Sequence, residues 1–186
     1  MGTYSFITEF KGKVYLACYQ SENCQDAFRH WVSDFTSQPY VSKMQKKQII
    51  EDSLDEDSAA ILLKDIEGAV WCWDSFPWGK PLLLNFMETV ERDEDLAYTY
   101  TFIVLYEGGT YISQHKGIDF NDSTKLWLEY FARTPYLSDL QKKNLLSCFE
   151  CCPPSVIEES CNFKIMRLSI CDKQLDLYIA KTKIYE

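Results

Sequence analysis

Bulky apolar residues alternate with other residues from Tyr4 to Phe10 and again from Val14 to Tyr19, with Gly12 between the two runs. A period of two on either side of a turn residue predicts a β-hairpin. If two residues make the turn, Phe6, Phe10, Tyr15 and Tyr19 share one face, and Ile7, Val14 and Leu16 share the other. The period then changes: Ala27, Phe28, Trp31, Val32 and Phe35 recur at helical spacing and predict an amphipathic helix, with the aromatic stripe turned to the core. Pro39-Tyr40 interrupts it, and Ser42-x-x-Gln45 reads as a capping box that starts a second helix. Two more strands are expected at about 69–76 and 82–89, joined through Pro77-Trp78-Gly79-Lys80, whose residue types suit a turn.

The same pattern returns. Residues 4–51 align without a gap onto residues 100–147, with 14 identities in 48 positions, where chance gives about three. The identities include Tyr4/Tyr100, Phe6/Phe102, Gly12/Gly108, Trp31/Trp127, Phe35/Phe131, Pro39/Pro135, Ser42/Ser138 and Gln45/Gln141. The second copy predicts a hairpin from Tyr100 to His115 around Gly108-Gly109, with Phe102, Tyr106 and Tyr111 on one face and Ile103, Leu105 and Ile112 on the other. A helix with Thr124, Trp127, Leu128 and Phe131 on its apolar side follows. A helix beginning at Ser138 is next, then strands at about 163–170 and 175–182 joined by Cys171 to Gln174. The expected fold class is α+β: two tandem ββααββ repeats, residues 1–96 and 97–186, with antiparallel sheets, helices packed on them, and a pseudo-twofold relation. Each hairpin is apolar on both faces. Its own helices are expected on one face and the other repeat on the second, giving one packed unit.

Composition narrows the roles. The chain has 186 residues, 46% hydrophobic and 25% charged, with 7 Gly and 6 Pro, which excludes disordered and low-complexity classes. A net charge of -9 argues against nucleic acid and anionic membranes as partners. Residues 1–96 carry -8 of it and residues 97–186 carry -1. The excess comes from Glu51, Asp52, Asp55, Glu56 and Asp57, and from Glu91, Asp93, Glu94 and Asp95. Such a surface either solubilises a loop or steers a basic partner. The Lys46-Lys47 and Lys142-Lys143 pairs read as solvated helix faces.

Candidate chemistry changes little. Neither a secretory signal nor an apolar run near the roughly 20 residues of a membrane span is legible, so a cytoplasmic protein is expected. Eight cysteines in a chain of this size read as reduced thiols. Cys148-x-x-Cys151 has zinc-like spacing, with Cys161 and Cys171 as distant partners, but no second tight pair or His completes it. Asp55-Glu56-Asp57 lacks the spaced ligands and central Gly of a calcium loop. His30 and His115 are the only histidines, and neither lies in a nucleophile signature. No phosphate-binding, dinucleotide, serine-hydrolase or metalloprotease motif occurs. No metal, cofactor or catalytic residue is therefore assigned.

The segment Tyr4-Ser5-Phe6-Ile7 through Gly12 to Tyr15 and Trp31, with its second copy Tyr100-Thr101-Phe102-Ile103 through Gly108-Gly109 to Tyr111 and Trp127, resembles small bacterial immunity proteins that neutralise polymorphic or contact-dependent toxins. It is also similar to the opening strands of antitoxins of the HicB type. The resemblance covers about the first 32 residues of each repeat. It implies a cytosolic, non-enzymatic protein that binds and blocks a toxin, often a basic nuclease; a monomer or homodimer is expected. The expected contact surface is Glu51, Asp52, Asp55, Glu56 and Asp57 with Asp93, Glu94 and Asp95. An enzyme with a cleft between the lobes and a structural homo-oligomer are the alternatives.

Overall fold

Two tight turns open the architecture. In the computed structural model, which describes residues 1–64, 69–89, 98–151, 158–160 and 163–182, strand β1 (Gly2–Phe10) turns into β2 (Lys13–Ser21) through Lys11 and Gly12 alone. Both turn residues have positive φ, 53° and 70°, the geometry that matches the twist of paired strands. Glu107 and Gly108, at 51° and 79°, repeat it between β6 (Tyr98–Tyr106) and β7 (Gly109–Gly117). The second turn is thus Glu107-Gly108, and Gly109 begins the returning strand.

The described residues form two compact units, one within Met1–Val90 and one within Glu91–Thr182. In the first, the hairpin is followed by helices α1 (Cys24–Ser37) and α2 (Lys43–Leu54), then strands β3 (Ile61–Leu62), β4 (Val70–Ser75) and β5 (Leu82–Thr89). The sheet order is β2-β1-β5-β4-β3, all antiparallel, so the last long strand lies beside the first, with Phe6 opposite Phe86. In the second, α3 (Phe120–Arg133), α4 (Asp139–Cys151), β8 (Glu158–Ser160), β9 (Phe163–Ile170) and β10 (Lys173–Thr182) follow the hairpin. Its order is β7-β6-β10-β9-β8, again antiparallel. The class is α+β. Strands β3 and β8 escape the sequence pattern because two or three residues are too few to display a period of two.

Helix starts follow side-chain chemistry. Asn23 caps α1 by accepting from the Asp26 amide at 2.9 Å, and Asp119 caps α3 from the Asp122 amide at 2.8 Å. Ser42 and Gln45 form the expected reciprocal box, at 3.4 Å and 3.1 Å, and Ser138 and Gln141 do the same at 3.3 Å and 2.8 Å.

Each core lies between its sheet and its two helices. In the first unit Phe6, Phe10, Trp31, Phe35, Ile49, Trp73, Leu84 and Phe86 are buried together. In the second, Phe102, Tyr106, Trp127, Phe131, Leu145, Leu168 and Leu177 are. Phe6 stacks on Trp31 with planes 3° apart, and Phe102 on Trp127 with planes 2° apart. The opposite sheet faces are apolar too: Ile7, Val70 and Met87, and likewise Ile103, are fully buried.

Candidate functional site

The acidic residues of the first unit gather where α2 ends. Glu51 and Asp52 lie in its last turn, Asp55 terminates it, and Glu56 and Asp57 open a single 3-10 turn, Glu56–Ser58. Glu51, Asp55, Glu56 and Asp57 are exposed, and Asp52 is half-buried. The negative end of a helix dipole falls on this turn, which holds no basic residue, so carboxylates here oppose helix stability and deepen the local negative potential. Lys47 reaches Glu51 at 3.6 Å, but both are exposed and Lys precedes Glu, the weaker order for such a pair.

Not every carboxylate is available to a partner. Asp52 accepts from Gln48 at 2.7 Å and from the Ser75 hydroxyl, so it fastens α2 to the end of β4. Asp55 accepts from the Asp57 amide at 3.2 Å and the Ser58 hydroxyl at 3.3 Å, which holds the 3-10 turn. The Trp73 indole donates to the Ser58 carbonyl at 2.7 Å and ties that turn to β4. Glu51, Glu56 and Asp57 remain as projecting charge on a fixed backbone. Asp93, Glu94 and Asp95, the other half of the expected contact surface, lie outside the described residues, as does Glu91.

Beside this cluster the β4–β5 connection carries a feature that the turn reading passes over. Pro77–Gly79 is a 3-10 turn packed against α2, and it displays Phe76 at 65% exposure and Trp78 at 62%. Trp78 has φ 54° and ψ 48°, a left-handed conformation that costs a residue with a side chain about 1–2 kcal/mol. Leu54, at the end of α2, is 75% exposed. The signal was present in the sequence: two large aromatics flank a Pro where turns ordinarily carry small polar residues.

The thiols and imidazoles show no nucleophile–base arrangement among the described residues. Burial pushes the Cys24 and Cys72 thiols up, away from thiolate. Cys18 bonds to Ser5 at 3.2 Å, and Cys148 donates to Asn144 and to the Ser169 carbonyl. His30 is exposed beside Tyr19. His115 lies within β7, two residues before its end, bonded to Ser113 at 3.2 Å; burial lowers its pKa. Glu88 is 3% exposed and accepts from Tyr4, whose own pKa is pushed up to about 12 by burial and then by that carboxylate. Among the described residues no three His, Cys, Asp or Glu side chains gather as metal ligands, and no helix is long and apolar enough to cross a membrane. Of the zinc-like set, Cys161 and the Cys151 side chain are outside the description.

Comparison of the chain with protein-family models, with curated proteins and with solved structures found no match.

Proposed function

We propose that this is a non-enzymatic binding protein that captures a basic protein partner through the acidic end of α2, in the manner of an immunity protein that neutralises a toxin domain. One observation carries the reading: Glu51, Glu56 and Asp57 project from a helix end where charge of that sign opposes helix stability, while Asp52, Asp55 and Trp73 hold the backbone beneath them. A merely solubilising surface has no need of an anchored turn. We read the chain as a tandem duplication of one ββααββ plan with a pseudo-twofold relation, on the strength of the 14 identities and the matched turns, caps and aromatic stacks. Only one copy carries the acidic end. On this reading it acts in the cytoplasm, without metal or cofactor, and its electrostatics exclude nucleic acid.

The test begins with the reading frame beside this gene. A secreted protein ending in a compact basic domain is expected there, and that domain co-purifies with this chain. Association accelerates at low salt. Replacing Glu51, Glu56 and Asp57 by Gln, Gln and Asn slows it about tenfold or more. An unchanged on-rate at low salt rejects the electrostatic reading.

A further inference from the structure

We infer that Cys148 and Cys171 form a two-electron oxidation site, at which a peroxide joins them in a reversible disulfide that fastens the end of α4 to the β9–β10 turn. The site belongs to the second unit and is independent of the acidic surface on the first.

The two thiols meet at one side chain. The Asn144 amide donates to the Cys171 sulfur at 3.5 Å and accepts from the Cys148 thiol at 3.7 Å. Cys148 also lies 3.8 Å from the carbonyl of Ser169, two residues before Cys171. Packing fixes both backbones. Leu145, three residues before Cys148 on α4, is fully buried, and Cys171 packs on the same core from a two-residue turn that starts directly after the fully buried Ile170. Both thiols are half-buried, within reach of a small oxidant. Cys24 and Cys72 contrast with them, because burial pushes their thiols up, away from thiolate. Reduced thiols with a shared contact and access to solvent are the arrangement of a disulfide that forms transiently in a reducing compartment.

The first unit shows what the disulfide adds. There Gln48, aligned with Asn144, donates to Asp52 at 2.7 Å, and Asp52 accepts from Ser75, so oxygen acceptors hold the helix end. In the second unit the same end is held by sulfur contacts at 3.7 Å and 3.8 Å, and a thiol is a weak donor. A covalent link supplies the missing brace. The chemistry balances with hydrogen peroxide as oxidant. The Cys171 sulfur attacks one peroxide oxygen as the O–O bond breaks, giving a sulfenic acid, and the thiol proton leaves with the departing hydroxide as water. The Cys148 sulfur then attacks the sulfenic sulfur; the S–S bond forms, the S–O bond breaks, and hydroxide leaves with the Cys148 proton as a second water. Two thiols are oxidised to one disulfide while the peroxide is reduced to two waters. Glutathione reverses the link by thiol–disulfide exchange. The order follows from the amide, which turns an N–H toward the Cys171 sulfur and an acceptor toward the Cys148 S–H.

The experiment exposes the reduced full chain to hydrogen peroxide, blocks the remaining thiols by alkylation and maps the disulfides by mass spectrometry. The wild type suffices for this step, so the folding of variants does not enter. A Cys148–Cys171 link is expected as the main product, removed by glutathione, and the oxidised chain melts a few degrees above the reduced one. Dimedone, which traps sulfenic acids, then labels Cys171 in Cys148→Ser at least tenfold more than Cys148 in Cys171→Ser. Links from Cys148 to Cys151 or Cys152 overturn the inference, as do Cys148 and Cys171 that stay free while Cys24 or Cys72 is oxidised. A melting temperature that does not rise on oxidation overturns the brace. Dimedone found mainly on Cys148 overturns the order of attack.

Discussion

The two units are most alike where they are buried and least alike at one end of their second helix. Trp31 and Phe35 lie 5.1 Å apart with planes 15° apart, and Trp127 and Phe131 lie 5.3 Å apart with planes 18° apart. The gapless alignment ends at Glu51 and Ser147; past it the first copy continues with Asp52, Asp55, Glu56 and Asp57, and the second with Cys148, Cys151 and Cys152. The helix is tied to the third long strand in both, through Asp52 and Ser75 in one and Cys148 and Ser169 in the other. The next connection differs as well. Cys171 and Asp172 make a two-residue turn, whereas the first unit has the longer loop bearing Phe76 and Trp78. Both differences involve α2 and what packs on it in the first unit.

A second contrast lies inside the cores. The Trp31 indole donates to Thr8 at 3.0 Å, while Trp127, aligned with it, has a buried indole N–H with no partner among the described residues. The residue aligned with Thr8 is Val104, which has the same shape and no acceptor. An unsatisfied buried donor costs about 1–3 kcal/mol, so the second unit carries a deficit that the first does not.

That contrast can be broken from either side. Thr8→Val recreates the orphan N–H in the first unit and is expected to destabilise it by about 2 kcal/mol, read from urea unfolding. Val104→Thr supplies the missing acceptor and is expected to stabilise the second unit by about 1 kcal/mol; no gain would show that Trp127 is satisfied in solution by another route. The helix caps sharpen the likeness instead. Ser42→Ala and Ser138→Ala should each cost about 1 kcal/mol, and clearly unequal losses would mean that the two boxes are not equivalent. The smallest effect is electrostatic. His115 has its pKa lowered by burial, so the folded state disfavours its proton and the unfolded chain takes it up more readily. Stability should therefore fall as pH drops below about 6.5 toward the lowered value. His115→Tyr, which copies Tyr19 at the aligned position, should remove that slope in thermal melts between pH 5 and 7.

The hairpins, the aromatic helices, both capping boxes and the final strands were legible because each is written in local periodicity or in a short polar motif. Phe6, Trp31 and Phe86 stack because period-two and helical faces leave little choice of partner. The candidate site was half legible. The carboxylates of 51–57 show in the charge count, but the distinction between Asp52, which braces β4, and Glu56, which projects, depends on Ser75, 23 residues further on. Phe76 and Trp78 were visible as residues and invisible as a surface.

By itself the sequence determined the α+β class, the two hairpins, the start of each second helix and the unequal sharing of charge, each of which is written in the local run of residues. The position of the second turn, Glu107-Gly108 rather than Gly108-Gly109, came from the strand register. Tertiary structure decided that the β4–β5 turn packs against α2 and leaves Phe76 and Trp78 exposed, that Asp52 is a brace, and that Trp31 is satisfied where Trp127 is not. Those outcomes arise between side chains brought together by packing, where a single missing hydroxyl or an added turn residue alters the chemistry while the hydrophobic pattern stays the same.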